Sequence, residues 1–386
     1  MHTPQQSPLE RNTKKLEISE LEHIREFFKK ELKGQDQALS RVANYINQIE
    51  LGLRGSAQGA LARWVEIGPS GVGKTEAVLL AIKYLQARYP QKENIDPKEL
   101  LLKVNGAEFQ YGHEISRLTG SPPGYLGSGG SKEGDYIEPF FSEENINRHR
   151  IKLSNGRTVF FVLIDEVEKA DASLHRLLLS PLDKGDLSLG DNTNVDFRDA
   201  VIVFSSNLGN EDIATERHRT VGFTPSKANL NNTRQDSLRK KAYTKYFPPE
   251  LRSRMGGEKN LVIFHELAAE DFEEILDKNI KIIISNFQNE GCNLSLTLSQ
   301  PAKEWFLRNG TSPDTGARDM ASLIDMEIMQ ALARGSVDPV TKKPNFNILH
   351  NRSFTIDIKN EKLVFLEKEA SVANSNTVQK KVVKAR

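Results

Sequence analysis

Gly68, Gly73, Lys74 and Thr75 stand in the spacing Gly-x4-Gly-Lys-Thr, and these residue types at that spacing can hold a chain of phosphates. The full loop reads Gly68-Pro69-Ser70-Gly71-Val72-Gly73-Lys74-Thr75. Glycines let the backbone curl so that several N–H groups point inward at phosphate oxygens. A following helix adds its positive N-terminal end. Lys74 supplies a mobile cation for β- and γ-phosphates, and Thr75 a hydroxyl for Mg²⁺. Taken alone, the loop also fits a glycine-rich strand-to-helix turn that binds nothing.

A second group argues against that reading. The apolar run Val159–Ile164 has the length and continuity of a buried parallel strand, and it ends in Asp165-Glu166. Acids at the carboxyl end of such a strand lie where α/β sheets bind ligands. Asp165 can hold Mg²⁺ through water, and Glu166 can polarise an attacking water. Another buried run, Ala200–Phe204, leads to Asn207, which is placed to orient a water or a γ-phosphate.

The elements that must position these residues follow from periodicity. Leu16 to about Leu32 reads as one amphipathic helix, and a second runs from about Gly34 to Leu53. The strand before the phosphate loop is Trp64–Ile67, its helix runs to about Tyr89, and Leu101–Val104 is a further strand. Residues 119–134 are too rich in glycine and proline to form an element, yet they carry Gly124-Tyr125-Leu126-Gly127. A polar stretch over 209–240 contains an isolated Val221-Gly222-Phe223. From His265 to about Asp338 the pattern is helical, with Gly316-Ala317-Arg318 opening one helix, and Phe354–Phe365 reads as a hairpin.

The chain has 386 residues, enough for two or more domains. Charged residues make up 27% and the net charge is +1, so no overall field draws it to nucleic acid or membrane. One cysteine, Cys292, excludes a disulfide framework or a cysteine-based zinc module within this chain. No apolar run reaches membrane-spanning length, and the first residues lack an apolar signal core, so the expectation is a cytoplasmic protein. Asp183, Asp186, Asp191 and Asp196 miss the ligand spacing of a calcium loop, and the histidines form no metal-binding cluster.

Together these segments resemble the AAA+ ATPases, and more narrowly the Clp-type unfoldase domain, especially its second ATPase ring. The resemblance spans about Leu32 to Phe365. Gly34-Gln35 with Ile67 is similar to the adenine-binding segment, Gly68–Thr75 to Walker A and Leu163–Ala170 to Walker B. Gly120–Gly127 is similar to the substrate-gripping pore loop, and Val195–Arg198 with Phe204–Gly209 to the run into sensor 1. Phe247–Arg254 is similar to the arginine-finger segment and Gly316–Arg318 to sensor 2. There are departures. Ser128-Gly-Gly-Ser replaces the acidic, aromatic run that usually follows the pore loop. The finger segment ends Leu-Arg-Ser-Arg, which makes Arg252 a second candidate beside Arg254. Residues 142–158 form a polar insertion, and the expectation is a single-ring form without a first ATPase domain.

The resemblance implies an α/β AAA+ fold: a larger parallel-sheet subdomain over 32–264 and a smaller helical subdomain with a terminal hairpin over 265–366. These are flanked by an N-terminal tail and helix (1–31) and a disordered tail (367–386). It implies ATP with Mg²⁺ as cofactors, bound by Gly34, Gln35, the loop Gly68–Thr75, Asp165 and Arg318. Thr75 and Asp165 would serve the metal, and Glu166, Asn207 and a trans-acting Arg254 the reaction. The implied assembly is a homo-hexameric ring that threads unfolded or tagged protein past Gly124, Tyr125, Leu126 and Gly127. Val221, Gly222 and Phe223 would form the tip that docks on a ClpP-type peptidase. The alternatives are a stand-alone remodeller without a peptidase, and a nucleic-acid motor or loader. Against the latter, the loop presents Tyr125-Leu126 rather than the cations that track phosphates.

Overall fold

The computed structural model describes residues 21–53, 58–91, 95–121, 138–219, 231–312, 315–343 and 345–368. Tyr125 with its neighbours, and Val221-Gly222-Phe223, lie outside them. The chain divides into two compact units. One comprises residues 1–69 with 73–265, the other 70–72 with 266–386.

The first unit is built on β1 (Ala62–Ile67), β2 (Leu101–Asn105), β3 (Ile151–Lys152), β4 (Thr158–Asp165), β5 (Asp186–Ser188), β6 (Asn194–Asp196), β7 (Ala200–Ser206) and β8 (Leu261–Ile263). The main sheet runs β2-β4-β7-β1-β8, all parallel, with β3 antiparallel at the start of β4. The apolar run in β4 explains its central place. Val159 through Ile164 are fully buried, and each such side chain contributes about 1.5–3 kcal/mol relative to exposure. Phe160, Val162 and Ile164 face a core shared with Val65, Ile67, Leu102, Val104, Ile202 and Phe204. Toward the other face Trp64 stacks on Tyr45 of the helix Asp36–Leu51, with ring centroids 4.8 Å apart.

Two parts of this unit form elements that the sequence reading left unassigned. The polar stretch 209–240 contains helices Asn210–Arg219 and Asn232–Tyr246. The second of these buries Gln235, Arg239 and Tyr243, and its polar inward residues hide the apolar period on which a helix prediction rests. The insertion 142–158 is ordered as well. Ser142 caps the helix Glu143–Arg148 by accepting from the Asn145 N–H at 3.0 Å, and β3 then pairs back onto β4.

The second unit holds the helices Ala269–Asn289, Gln300–Asn309, Ala317–Ile324 and Gln330–Gly335. The first is long and amphipathic and turns Leu276, Ile280, Ile283 and Phe287 into a core with Phe306, Met320 and Ile356. A terminal hairpin is present as β10 (Arg352–Lys359) and β11 (Lys362–Glu367), antiparallel as expected. It is joined by β9 (Leu294–Leu298), parallel to β10, inside the stretch read as wholly helical. Leu294 and Leu296 alternate inward over too few residues to outweigh the helical period around them. Among the described residues no helix is long and apolar enough to cross a membrane.

Candidate active site

β1 ends at Ile67, and the chain turns through Gly68–Gly73 into the helix Lys74–Arg88. Gly73 caps that helix with φ at 100°, in the left-handed region that glycine tolerates. Gly68 passes so close to β8 that a Cβ there would lie 2.5 Å from the Phe264 carbonyl oxygen. The curl expected from the loop's glycines is therefore present, and it is enforced on both sides.

Lys74 is buried, and its ammonium donates to the carbonyls of Gly68 (2.8 Å) and Pro69 (2.6 Å) and to Asn207 Oδ1 (2.8 Å). Burial pushes its pKa down to about 8 against the attraction of Glu66, Glu168 and Asp165, with the Arg239 charge pushing the same way as burial. Three satisfied N–H donors are those of the charged form. The lysine is thus held as a cation at the mouth of the loop. Thr75 follows it in the first turn, half-buried.

Asp165 ends β4. Its Oδ1 accepts from the Ser205 hydroxyl on β7, and its Oδ2 lies 2.7 Å from Lys103 Nζ on β2. Burial pushes the carboxyl up, but those two bonds and the charges of Lys103 and Lys74 hold it below its ordinary value. Glu166 follows with φ at 51°, unusual for a residue with a side chain. That turn directs Glu166 away from the strand line, and its Oε2 meets Lys169 Nζ at 2.8 Å. Asn207 lies just past β7, its N–H donating to Glu168 Oε1 at 2.9 Å. The Tyr246 hydroxyl in turn donates to the Glu168 carbonyl at 2.6 Å.

The structure thus brings Lys74, Asp165, Glu166 and Asn207 together at the carboxyl ends of β1, β4 and β7. It also adds Lys103, Ser205, Glu168 and Arg239, to which the sequence reading assigned no role. Glu66 is a further addition. It is wholly buried on β1, accepts from Trp64 Nε1 at 3.0 Å, and leaves Oε2 without a hydrogen bond. Burial raises its carboxyl to about 8, against the Trp64 bond and the Lys74 charge and with help from Asp165. A lone acid inside an apolar strand is visible in the sequence and is the signal by which it could have been found.

Gln35 is buried, and its amide is engaged at both ends by the His265 backbone, donating to the carbonyl at 2.9 Å and accepting from the N–H at 3.1 Å. Gly34 beside it is exposed. Arg254 closes the helix Pro249–Arg254 and pairs with Glu250 (3.2 Å) and Asp183 (3.5 Å). Arg252 is half-buried, with its Nε unpartnered. Arg318 is exposed on the helix Ala317–Ile324 of the second unit, where the Ala317 N–H donates to the Gly71 carbonyl at 3.0 Å.

A Thr75 hydroxyl and an Asp165 carboxylate are hard oxygen donors, the few protein ligands Mg²⁺ takes when phosphates and waters supply the rest. Among the described residues no cluster of three or more His, Cys, Asp or Glu could hold a metal by itself. The donor set therefore fits Mg²⁺ arriving with a nucleotide better than a resident ion.

Residues 61–257 match the model of the AAA domain (Cdc48 subfamily), and residues 267–345 that of the C-terminal, D2-small domain of ClpB protein. The chaperone protein ClpB of Staphylococcus aureus (strain N315) is 28% identical over 346 residues, covering 88% of this chain and 35% of the relative. Heat shock protein 100 of Trypanosoma brucei brucei is 30% identical over 303 residues, covering 78% and 30%. Among solved structures, the Saccharomyces cerevisiae Hsp104:casein complex in its extended conformation matches with a TM-score of 0.66 at 25% identity, over 90% of this chain and 52% of that one. The chain spans about a third of the length of the curated relatives it matches.

Proposed function

Because this chain belongs to the AAA domain family (Cdc48 subfamily), as a Clp-type member with a ClpB D2-small domain behind it, we propose that it is an ATP-driven protein unfoldase. The observation that carries this is the bond from Lys74 Nζ to Asn207 Oδ1 at 2.8 Å, beside the Asp165-Glu166 pair. The contact between a phosphate-loop cation and the amide of a sensor-like segment supports a γ-phosphate site there.

In this reading Lys74 turns its ammonium from the Gly68 and Pro69 carbonyls to β- and γ-phosphate oxygens, and the loop N–H groups of Gly71–Thr75 cradle the remainder. Thr75 and Asp165 hold Mg²⁺, which when bound neutralises charge on the phosphate oxygens. Glu166 leaves Lys169, orients the attacking water and takes its proton. Asn207, steadied by Glu168, holds that water or the γ-phosphate. Gly34 and Gln35 flank the adenine, Arg318 reaches the phosphates, and Arg254 stabilises transition-state charge on a neighbouring subunit's nucleotide. A finger acting in trans requires a head-to-tail interface, which closes into a ring; a cytoplasmic homo-hexamer is the assembly we propose. Unfolded polypeptide is the substrate, a reading supported by this chain's likeness to Hsp104 in its complex with casein. Gly124, Tyr125, Leu126 and Gly127 form the grip. Docking on a ClpP-type peptidase through Val221-Gly222-Phe223 is the finer part of the proposal.

The test is ATP turnover by the purified chain, with and without an unfolded protein or single-stranded DNA. Turnover stimulated by the protein and not by DNA is the expected result, and the Tyr125→Ala variant should lose unfolding of a tagged reporter about tenfold more than it loses hydrolysis. Stimulation by DNA alone would replace this reading with a nucleic-acid motor.

A further inference from the structure

Lys103 is the exposed position in an otherwise buried run. On β2, Leu101, Leu102 and Val104 are buried and Lys103 is not. The parallel register sets Lys103 opposite Leu163 and Asn105 opposite Asp165. Side chains two apart on a strand share a face, so Lys103 and Asp165 point to the same side of the sheet on neighbouring strands. The ammonium crosses that short diagonal and lies 2.7 Å from Asp165 Oδ2. Lys103 makes no other ion pair among the described residues.

The arrangement around Asp165 is asymmetric. Oδ1 accepts from one neutral hydroxyl, that of Ser205, and keeps a lone pair free. Oδ2 is taken by a full positive charge from the opposite strand. A carboxylate with both oxygens free could chelate a small dication directly. With one oxygen committed to an ammonium, it can offer only the other, and most readily through a water, as Mg²⁺ prefers. The same ammonium adds a repulsive charge close to where the cation must sit.

We propose that Lys103 is a positioning residue for the hydrolytic site: by occupying Oδ2 of Asp165 it restricts that carboxylate to one-oxygen contact with nucleotide-borne Mg²⁺, weakening the metal's hold while fixing its place. The inference rests on the ATP site proposed above. Lys103 reaches Asp165 rather than the phosphate loop, so it acts through the metal and not on the nucleotide directly.

The test compares Lys103→Met, which keeps the stem and removes the charge, with Lys103→Arg, which restores it; Lys103→Gln serves if the methionine variant fails to fold. Binding of a fluorescent ADP analogue is measured in EDTA and across a Mg²⁺ titration, alongside hydrolysis at saturating Mg²⁺. Binding in EDTA should stay within about twofold of wild type. The half-saturating Mg²⁺ concentration should fall about tenfold in the methionine variant, from the lost repulsion. Hydrolysis should fall by about tenfold or more, because a directly ligated metal is misplaced. Arginine should bring both back toward wild type. A Mg²⁺ midpoint unmoved in a folded variant, or binding lost equally with and without Mg²⁺, overturns the assignment. If wild type itself binds nucleotide without any Mg²⁺ dependence, it is the ATP-site reading that fails.

Discussion

Lys74 Nζ lies 2.8 Å from Asn207 Oδ1, so the cation of the phosphate loop is tied to the end of β7. The same ammonium bonds the Gly68 and Pro69 carbonyls. In the proposed ATP site these are the bonds that a phosphate would displace. Whatever moves the Lys74 ammonium therefore also releases the Asn207 side-chain oxygen.

Lys74→Ala removes the cation and leaves those three acceptors unpartnered. Nucleotide affinity measured by calorimetry should fall on the order of a hundredfold. Glu166→Gln removes the proposed general base and none of the proposed phosphate contacts, so affinity should hold while turnover drops roughly a thousandfold. Retained turnover in Glu166→Gln would pass the role of the base to another group.

Glu66 supplies a pH dependence whose sign follows from its burial. Its folded pKa, about 8, lies above the ordinary carboxylate value. Between those two values the unfolded chain has released the proton and the folded chain keeps it. Stability from this group is therefore full at acid pH and is lost as pH rises toward 8, at up to about 1.4 kcal/mol per unit. The opposing effect of Lys74, depressed to about 8, acts only above that pH. In a Trp305→Phe background Trp64 is the remaining tryptophan, and it bonds Glu66 directly. Urea unfolding followed by its fluorescence should show about 2–3 kcal/mol less stability at pH 7.5 than at pH 5.5. Glu66→Gln should flatten that slope; an equal slope in the variant would place the titration elsewhere.

Arg254 sits between Glu250 and Asp183 of its own chain, and both must yield if it is to reach a neighbour. Arg254→Ala should lower ATP turnover by roughly a thousandfold, the scale of a lost arginine finger. Mixing those subunits with Lys74→Ala subunits should restore part of the activity, because some interfaces then pair an intact loop with an intact arginine. Mixtures no more active than their components would mean the arginine acts within its own chain or not at all.

Phe223→Ala addresses the peptidase. In the proposed ring, six weak apolar tips would bind through effective concentration, so losing the aromatic should abolish association with a barrel-shaped peptidase. Co-sedimentation of wild type and variant with ClpP in the presence of ATP reads this out. Absence of any wild-type complex leaves a remodeller that releases its substrate unfolded.

The phosphate loop, the acid pair at the end of β4 and the asparagine after β7 were legible as strings because each combines contiguous residues with an adjacent apolar run. A glycine loop curls, and a buried strand presents its last residues, for reasons local to a few peptide units. The same holds for the terminal hairpin, written in two alternating runs. The helix Asn232–Tyr246 was not legible: Gln235 and Arg239 face inward, and a polar residue counts as outward until its partners are known. The partners of the chemistry were hidden for a different reason. Lys103 meets Asp165, Ser205 meets Asp165, and Glu168 meets Asn207 only because parallel register lays β2, β4 and β7 side by side. Parallel strands are joined by long crossovers, so neighbours in this sheet are distant in the chain, and no local spacing records which of them will touch.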